Sequence, residues 1–113
     1  MRPPQRIAIT GASGLIGTAL VGLLKSEGHT VQRLVRRPVV SPDEVTWDPA
    51  AGTVDLAPLE GVNAIIHLAG AGVSDKRWSS KYRATILNSR LLGTTTIANA
   101  AATLKPEVFI SAS

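Results

Sequence analysis

The chain has 113 residues, a formal net charge of +4 and no cysteine. The absence of cysteine excludes disulfides, thiol catalysis and cysteine-ligated metals, and its two isolated histidines do not predict a metal site. The basic residues are spread out and aromatic residues make up only 4% of the chain, so nucleic acid is not an expected partner. No apolar run has the length of a transmembrane helix and no signal core precedes the first strand, which together favour a cytoplasmic protein.

The first part of the chain predicts a strand, a glycine-rich turn and a helix. A β-branched run, Arg6–Thr10, is typical of a strand. A helical period follows the turn, and Gly28 is the expected helix stop. The apolar residues expected on the buried stripe of this helix are Leu15, Ile16, Ala19, Leu20, Leu23 and Leu24.

The remaining elements alternate between strands and a long helix. They are a strand at 30–35, a hairpin at 45–56, a buried strand at 62–68, a helix at 79–104 and a strand at 108–111. The residues expected on the buried side of the long helix are Ile86, Leu87, Leu91, Ile97, Ala98 and Ala101. This alternation predicts an α/β fold with a Rossmann-type, doubly wound parallel sheet. Because the last strand would normally continue into a loop and helix, we expect residues 1–113 to be the N-terminal part of a cofactor-binding domain.

The turn "TGASGLIG" has the chemistry of a dinucleotide site. Gly11 permits a sharp turn at the strand end, Gly14 lets the backbone approach a pyrophosphate, and Gly17 lets the helix pack closely on the sheet. The helix N-terminus offers free N–H groups to the phosphates, and Ser13 adds a hydroxyl. The alternative is a tight strand-to-helix turn that binds nothing.

Arginines follow the second strand, where an NAD site usually has an acidic residue for the ribose hydroxyls. Arg36 and Arg37 stand there, whereas the nearest acids, Asp43 and Glu44, come later. A guanidinium suits a 2′-phosphate, so NADP is favoured over NAD. The alternative is that both arginines are solvated loop charges.

Several motifs in this order resemble the extended short-chain dehydrogenase/reductase superfamily. They are "TGASGLIG", "RLVRRP", "WDPAAGTVD", "HLAGAGV", "KRW", "ILNSR" with "GTTT", and "ISAS". Together they are similar to the NAD(P)-dependent epimerase/dehydratases of the SDR39U group, also described as SulA-related epimerases.

The resemblance implies roles for residues along the whole chain. Ser113 matches a hydroxyl that lies beside the nicotinamide and hydrogen-bonds a substrate oxygen, and is the expected catalytic residue. Arg90 matches a cofactor-proximal arginine, and Ser111 is a neighbour of Ser113 in the same motif. The expected cofactor-binding residues are Gly11, Ser13, Gly14, Leu15, Ile16, Gly17, Arg36, Arg37, Leu68, Ala69, Gly70, Arg90 and Ser111.

The chain departs from the family pattern in three places. Ala71 stands where the family often has Glu, and Asn63 stands where Asp is usual. The superfamily's Tyr-x-x-x-Lys pair is not found in residues 1–113, because Tyr82 is followed four residues later by Ile86 and the next lysine is Lys105. Either the pair lies in a further C-terminal part, or the protein is not a standard dehydrogenase. A tyrosine needs such a lysine to lower its pKa for proton transfer.

Some residues have both structural and functional interpretations. His67, within the buried strand, is interpreted as a core histidine rather than a ligand or base. Trp47 and Trp78 are interpreted as packing residues, with stacking on a ligand as the alternative. Arg77 and Trp78 are candidates for substrate contacts.

The sequence therefore predicts an NADP-dependent oxidoreductase or epimerase/dehydratase that acts on a small molecule. The alternative is an NADP-binding sensor without catalysis. A homodimer through the long helix is a hypothesis from its length.

Overall fold

The computed structural model describes residues 4–69 and 80–111, and for 80–90 it describes the backbone alone. The strands are β1 (Arg6–Thr10), β2 (Thr30–Val35), β3 (Glu44–Asp48), β4 (Thr53–Val54), β5 (Ala64–His67) and β6 (Val108–Ser111). The helices are α1 (Leu15–Ser26) and α2 (Ser80–Leu104), with a 3₁₀ turn at Ala57–Leu59 that the sequence pattern did not predict. Within this part of the chain, no helix is both long and apolar enough to cross a membrane.

The six strands form one sheet in the order β4-β3-β2-β1-β5-β6. All neighbours are parallel except β3 and β4, which form the predicted antiparallel hairpin. From β1 the chain proceeds through α1 to β2 and β3 on one side, and later returns to place β5 on the other side of β1. The prediction of a Rossmann-type α/β fold is confirmed. Its strand order reverses between β1 and β5, which is where such sheets bind ligands, at the carboxyl ends of the strands.

The core consists of two layers because residues of β1 alternate between the faces of the sheet. Ile7 and Ile9 belong to the layer that contacts α1. Ala8 belongs to the layer under α2, whose members are Ala8, Leu34, Val45, Trp47, Leu59, Val62, Ile65, Ile97 and Ala101. Burying a side chain such as Ile97 contributes about 1.5–3 kcal/mol.

The predicted buried stripe of α1 is wrong in part. Leu15, Ile16 and Leu23 are 92%, 64% and 55% exposed. The residues that face the sheet are Gly17, which is buried, and the half-buried Leu20, Val21 and Leu24. Their spacing is helical, but a hydrophobicity pattern cannot register Gly17, and the predicted stripe was therefore out of phase.

The stripe of α2 was predicted more accurately near its C-terminus. Ile97 and Ala101 are buried as expected, whereas Leu91 is 56% exposed. Gly93 is buried in its place, and a Cβ there would lie 3.7 Å from both the His67 and Trp47 rings. The predicted buried residues Ile86 and Leu87 lie outside the described side chains.

Strand β6 lies at one edge of the described sheet and pairs in parallel with β5. Its apolar residues Val108, Phe109 and Ile110 are each at least 40% exposed. The opposite edge is formed by β4, which has two residues.

Candidate dinucleotide-binding site

The glycine-rich turn joins β1 to α1 through backbone hydrogen bonds. The Gly14 amide donates to the Gly11 carbonyl at 3.2 Å, and the Thr18 amide donates to the Gly14 carbonyl at 2.8 Å, which starts the helix. Gly14 is the N-cap and supplies no side chain to the first helical N–H groups. These groups and the positive end of the helix dipole are therefore available to an anion.

Two of the three glycines are required by packing within the protein. Gly11 has φ +71°, and a Cβ there would lie 2.7 Å from the Ala69 amide nitrogen. A Cβ on Gly17 would lie 2.8 Å from Ala12 Cα and would overlap the Gly11 carbonyl oxygen. Gly14 differs, because its nearest atom would be the Gly11 oxygen at 3.5 Å. Packing within the protein therefore tolerates a side chain at Gly14, which is an exposed residue.

A cavity of about 570 Å³ opens above this turn. Its walls are the turn residues 11–14, the end of β2 with the arginines that follow, Trp47, and the segment Leu68–Ala69 after β5. These walls are carboxyl ends of neighbouring parallel strands, at the point where the strand order reverses. The volume lies within the ordinary range for small-molecule sites.

The arginines after β2 differ in their electrostatic environment. Arg37 forms a two-pronged ion pair with Glu44, in which Nη1 donates to Oε1 at 2.9 Å and Nη2 donates to Oε2. The Glu44 side chain is 1% exposed, and it also accepts from the Val40 amide at 2.9 Å. The Arg37 hydrogen bond and the Val40 amide lower the pKa of Glu44 to about 2.

Arg33 and Arg36 complete this basic wall of the cavity. Arg33 is held by Asp43 through two hydrogen bonds of 2.8 and 3.2 Å, rather than projecting freely from an exposed strand face. Arg36 is exposed, and within residues 4–69 its guanidinium has no hydrogen bond or ion pair. Of the three cations, Arg36 is the one whose charge is not matched by a neighbouring carboxylate in that range.

The expected site residues fall into three groups. Gly11, Ser13, Gly14, Arg36, Arg37, Leu68 and Ala69 line the cavity together. Leu15, Ile16 and Gly17 lie in the first turn of α1 behind it, and Ser111 lies at the carboxyl end of β6, paired in register with His67. Gly70, Ser113, Arg77, Trp78 and the side chains of Tyr82 and Arg90 lie outside the described part of the chain.

The cavity also includes residues that the motifs did not single out. Ala12, Arg33, Leu34 and Val35 contribute to its walls. Trp47 lines it as well, while being 3% exposed and packed in the core. The register of β2 and β3 explains its position. Val35 pairs with Thr46, so Trp47, the next residue along β3, lies beside the end of β2.

A buried polar network lies directly beneath the cavity. The Thr10 hydroxyl oxygen accepts from the amides of Leu68 and Ala69, each at 3.1 Å, and lies 2.6 Å from His67 Nδ1. His67 Nε2 lies 3.3 Å from the Thr94 hydroxyl, and the ring meets Trp47 edge-on. His67 is 1% exposed and burial lowers its pKa. Its interpretation as a hydrogen-bonded core histidine is confirmed.

A cavity at the switch point of a Rossmann-type sheet, over a glycine-rich turn, is where dinucleotide-binding proteins of this fold class hold their cofactor. The profile of the NAD dependent epimerase/dehydratase family matches residues 7–113, and the chain belongs to this family.

Known relatives agree with this assignment. An epimerase family protein of Mycobacterium tuberculosis is 36% identical over 107 residues, which are 95% of this chain and 36% of that protein. The structure of human epimerase family protein SDR39U1 with NADPH superposes with a TM-score of 0.74 at 31% identity, covering 94% of this chain and 35% of the human one. MoeE5 in complex with UDP-glucuronic acid and NAD superposes with a TM-score of 0.74 at 27% identity, covering 96% of this chain and 36% of MoeE5. The chain thus spans about a third of the length of these relatives.

Proposed function

We propose that this chain forms the cofactor-binding part of an NADP-dependent oxidoreductase or epimerase/dehydratase of the extended short-chain class. The observation that carries the proposal is the cavity at the switch point, where glycine backbone and Arg36, which has no carboxylate partner within residues 4–69, line one space. The complexes of relatives with NADPH and with NAD support a nicotinamide cofactor without deciding between the two.

The walls of the cavity fit the parts of a dinucleotide. The amides around Ser13 and Gly14, at the start of α1, would bind the pyrophosphate. Leu68 and Ala69 would support the adenosine half through their backbone, as the family resemblance implies. Arg36 would bind the 2′-phosphate, because a charge-assisted bond from guanidinium to phosphate forms most readily where no carboxylate competes.

Arg37 has a different role in this proposal. Its pairing with Glu44 leaves the loop close to electrically balanced, so it contributes less attraction for a phosphate than Arg36 does. It serves to hold the loop that carries Arg36 against β3.

The chemistry of the bound nicotinamide would be hydride transfer to or from a carbon of the substrate. Ser113 would hydrogen-bond a substrate oxygen next to it, as the family resemblance implies. The second candidate is an NADP-binding sensor without catalysis, and a Tyr-x-x-x-Lys pair downstream of Ser113 in the full-length protein would count against it. Oxidation of bound NADPH by carbonyl compounds, followed at single turnover in the full-length protein, distinguishes the two.

Titrations with NADPH and NADH, followed by tryptophan fluorescence, test the cofactor assignment. Arg36→Ala should weaken NADPH binding by about 10- to 100-fold, since a charged hydrogen bond contributes about 1.5–3 kcal/mol. It should change NADH binding little. Lys25→Ala, at the far end of α1, is the matched control for loss of a positive charge.

Arg37→Ala provides the sharper comparison. If Arg37 only holds the loop, this variant should change the ratio of the NADPH and NADH affinities less than Arg36→Ala does. An unchanged ratio in both variants would refute the contact of Arg36 with the 2′-phosphate, and equal affinities of the wild-type protein for NADPH and NADH would refute the preference for NADP. Failure of the wild-type protein to bind either nucleotide would refute the cofactor site as a whole.

A further inference from the structure

The network under the cavity determines which nitrogen of His67 carries the proton. The Thr10 hydroxyl oxygen accepts two amide hydrogens, from Leu68 and Ala69. Its own hydrogen therefore has to be donated elsewhere, and the partner at 2.6 Å is His67 Nδ1. An acceptor at Nδ1 requires a neutral ring with its proton on Nε2, which then donates to the Thr94 hydroxyl.

The same hydroxyl fixes part of the cavity wall. Leu68 and Ala69 follow β5 and line the cavity, and Thr10 immediately precedes Gly11. The Leu68 amide is shared with the Thr10 carbonyl at 3.2 Å, whereas for the Ala69 amide the Thr10 hydroxyl is the acceptor found in the described residues. Gly11 packs closely on this wall, since a Cβ on Gly11 would lie 2.7 Å from the Ala69 amide nitrogen.

Building on the proposed function, we propose that His67 is a positioning residue for the dinucleotide site. In its neutral form, with the proton on Nε2, it orients the Thr10 hydroxyl so that this oxygen holds the amides of Leu68 and Ala69 in the wall that the cofactor contacts. Protonation of His67 would release that wall and weaken cofactor binding.

The physical reason lies in the count of donors and acceptors. An imidazolium has an N–H on both nitrogens, so Nδ1 would become a third donor towards the Thr10 oxygen. The Thr10 hydroxyl hydrogen would lose its acceptor, and one of the two backbone amides would have to move away. The wall would then lose the hydrogen bond that fixes Ala69.

The described groups that face the ring carry no charge that could offset an imidazolium. Among the described residues the ring is faced by Thr10 from β1, Trp47 from β3 and Thr94 from α2. None of them is charged or titrates near neutral pH. Ser111 on β6, the register partner of His67, is likewise uncharged.

Cofactor binding as a function of pH tests the proposal in the full-length protein. NADH and NADPH are titrated in parallel between about pH 8 and 5, because a 2′-phosphate itself titrates near pH 6 and NADH has none. For both nucleotides the affinity should fall about tenfold per pH unit below the pKa of His67. His67→Asn, whose amide oxygen replaces the Nδ1 acceptor, should bind NADH at neutral pH and lose this acid dependence. His29→Asn, at the other histidine, should retain it.

Nitrogen and amide NMR signals provide a readout that does not depend on the cofactor. At neutral pH the ring signals of His67 should show a proton on Nε2 and none on Nδ1. The amide signals of Leu68 and Ala69 should shift with the same midpoint as the ring.

The outcomes separate the two proposals. A proton on Nδ1 at neutral pH, or an acid loss of NADH binding that persists in His67→Asn, would overturn the role of His67 while leaving the cofactor site intact. Absence of any NADH or NADPH binding across the pH range would overturn both.

Discussion

Replacing Gly17 with alanine should destabilise the protein, although alanine is the better helix former. Alanine in place of a helical glycine stabilises by about 1 kcal/mol where there is space for the methyl group. At Gly17 the new Cβ would be 2.8 Å from Ala12 Cα, about 0.6 Å short of ordinary contact, and closer still to the Gly11 oxygen. Both obstacles are backbone, so the helix or the turn has to move. Overpacking of this kind costs about 1–3 kcal/mol or more, and we expect a net loss of about 2 kcal/mol.

Gly22, also in α1, is the matched control because a Cβ there would have no atom within 4 Å. Gly22→Ala should raise the free energy of unfolding by about 0.5–1 kcal/mol. Urea denaturation of both variants measures the difference, and nucleotide titration should show weaker binding for Gly17→Ala alone because Gly11 is displaced. If Gly17→Ala were as stable as Gly22→Ala, the close approach of helix and turn described above would be refuted.

Two further predictions concern the core and the buried carboxylate. Ile97→Ala, at a residue with 0% exposure, should lower the free energy of unfolding by about 2–5 kcal/mol. Leu91→Ala, at an exposed residue of the same helix, should change it by less than about 0.5 kcal/mol. Equal urea midpoints of the two variants would contradict the packing of α2. Because the pKa of Glu44 is lowered from 4.5 to about 2, its ionised form stabilises the fold above about pH 4.5 and this stability is lost as the pH falls towards 2. Glu44→Gln should therefore be less stable at neutral pH and show a shallower loss in acid; an unchanged acid profile would contradict the ion pair.

The order of elements could be predicted from the sequence because each element carries its own period or turn residue. The bounds of β1, β2 and β6 agree with the prediction, and the hairpin and both helices were recognised. The phase of α1 was missed because Gly17, which contributes no hydrophobicity, lies at the centre of the contact with the sheet. A pattern of apolar side chains cannot show where two backbones approach most closely.

The candidate site was predictable only where backbone motifs determine it. The glycine turn has a spacing with a physical meaning, and the arginines were placed correctly at the end of β2. The ion pair that distinguishes Arg37 from Arg36 was not predictable, because the contact of Arg37 with Glu44 depends on how the loop returns to β3. The proton position on His67 likewise requires the geometry of Thr10, which is 57 residues away in sequence.

The two edges of the sheet differ in their tendency to recruit another strand. The β4 edge is too short to template a long partner, since it has two residues. Among the described residues no strand pairs with the outer side of β6, and its apolar residues Val108, Phe109 and Ile110 are each at least 40% exposed. Exposed apolar edges of this kind promote edge-to-edge aggregation. We therefore expect residues 1–113, produced alone, to aggregate through this edge. Phe109→Lys should reduce the aggregation, because a charge on an edge strand opposes pairing with another strand.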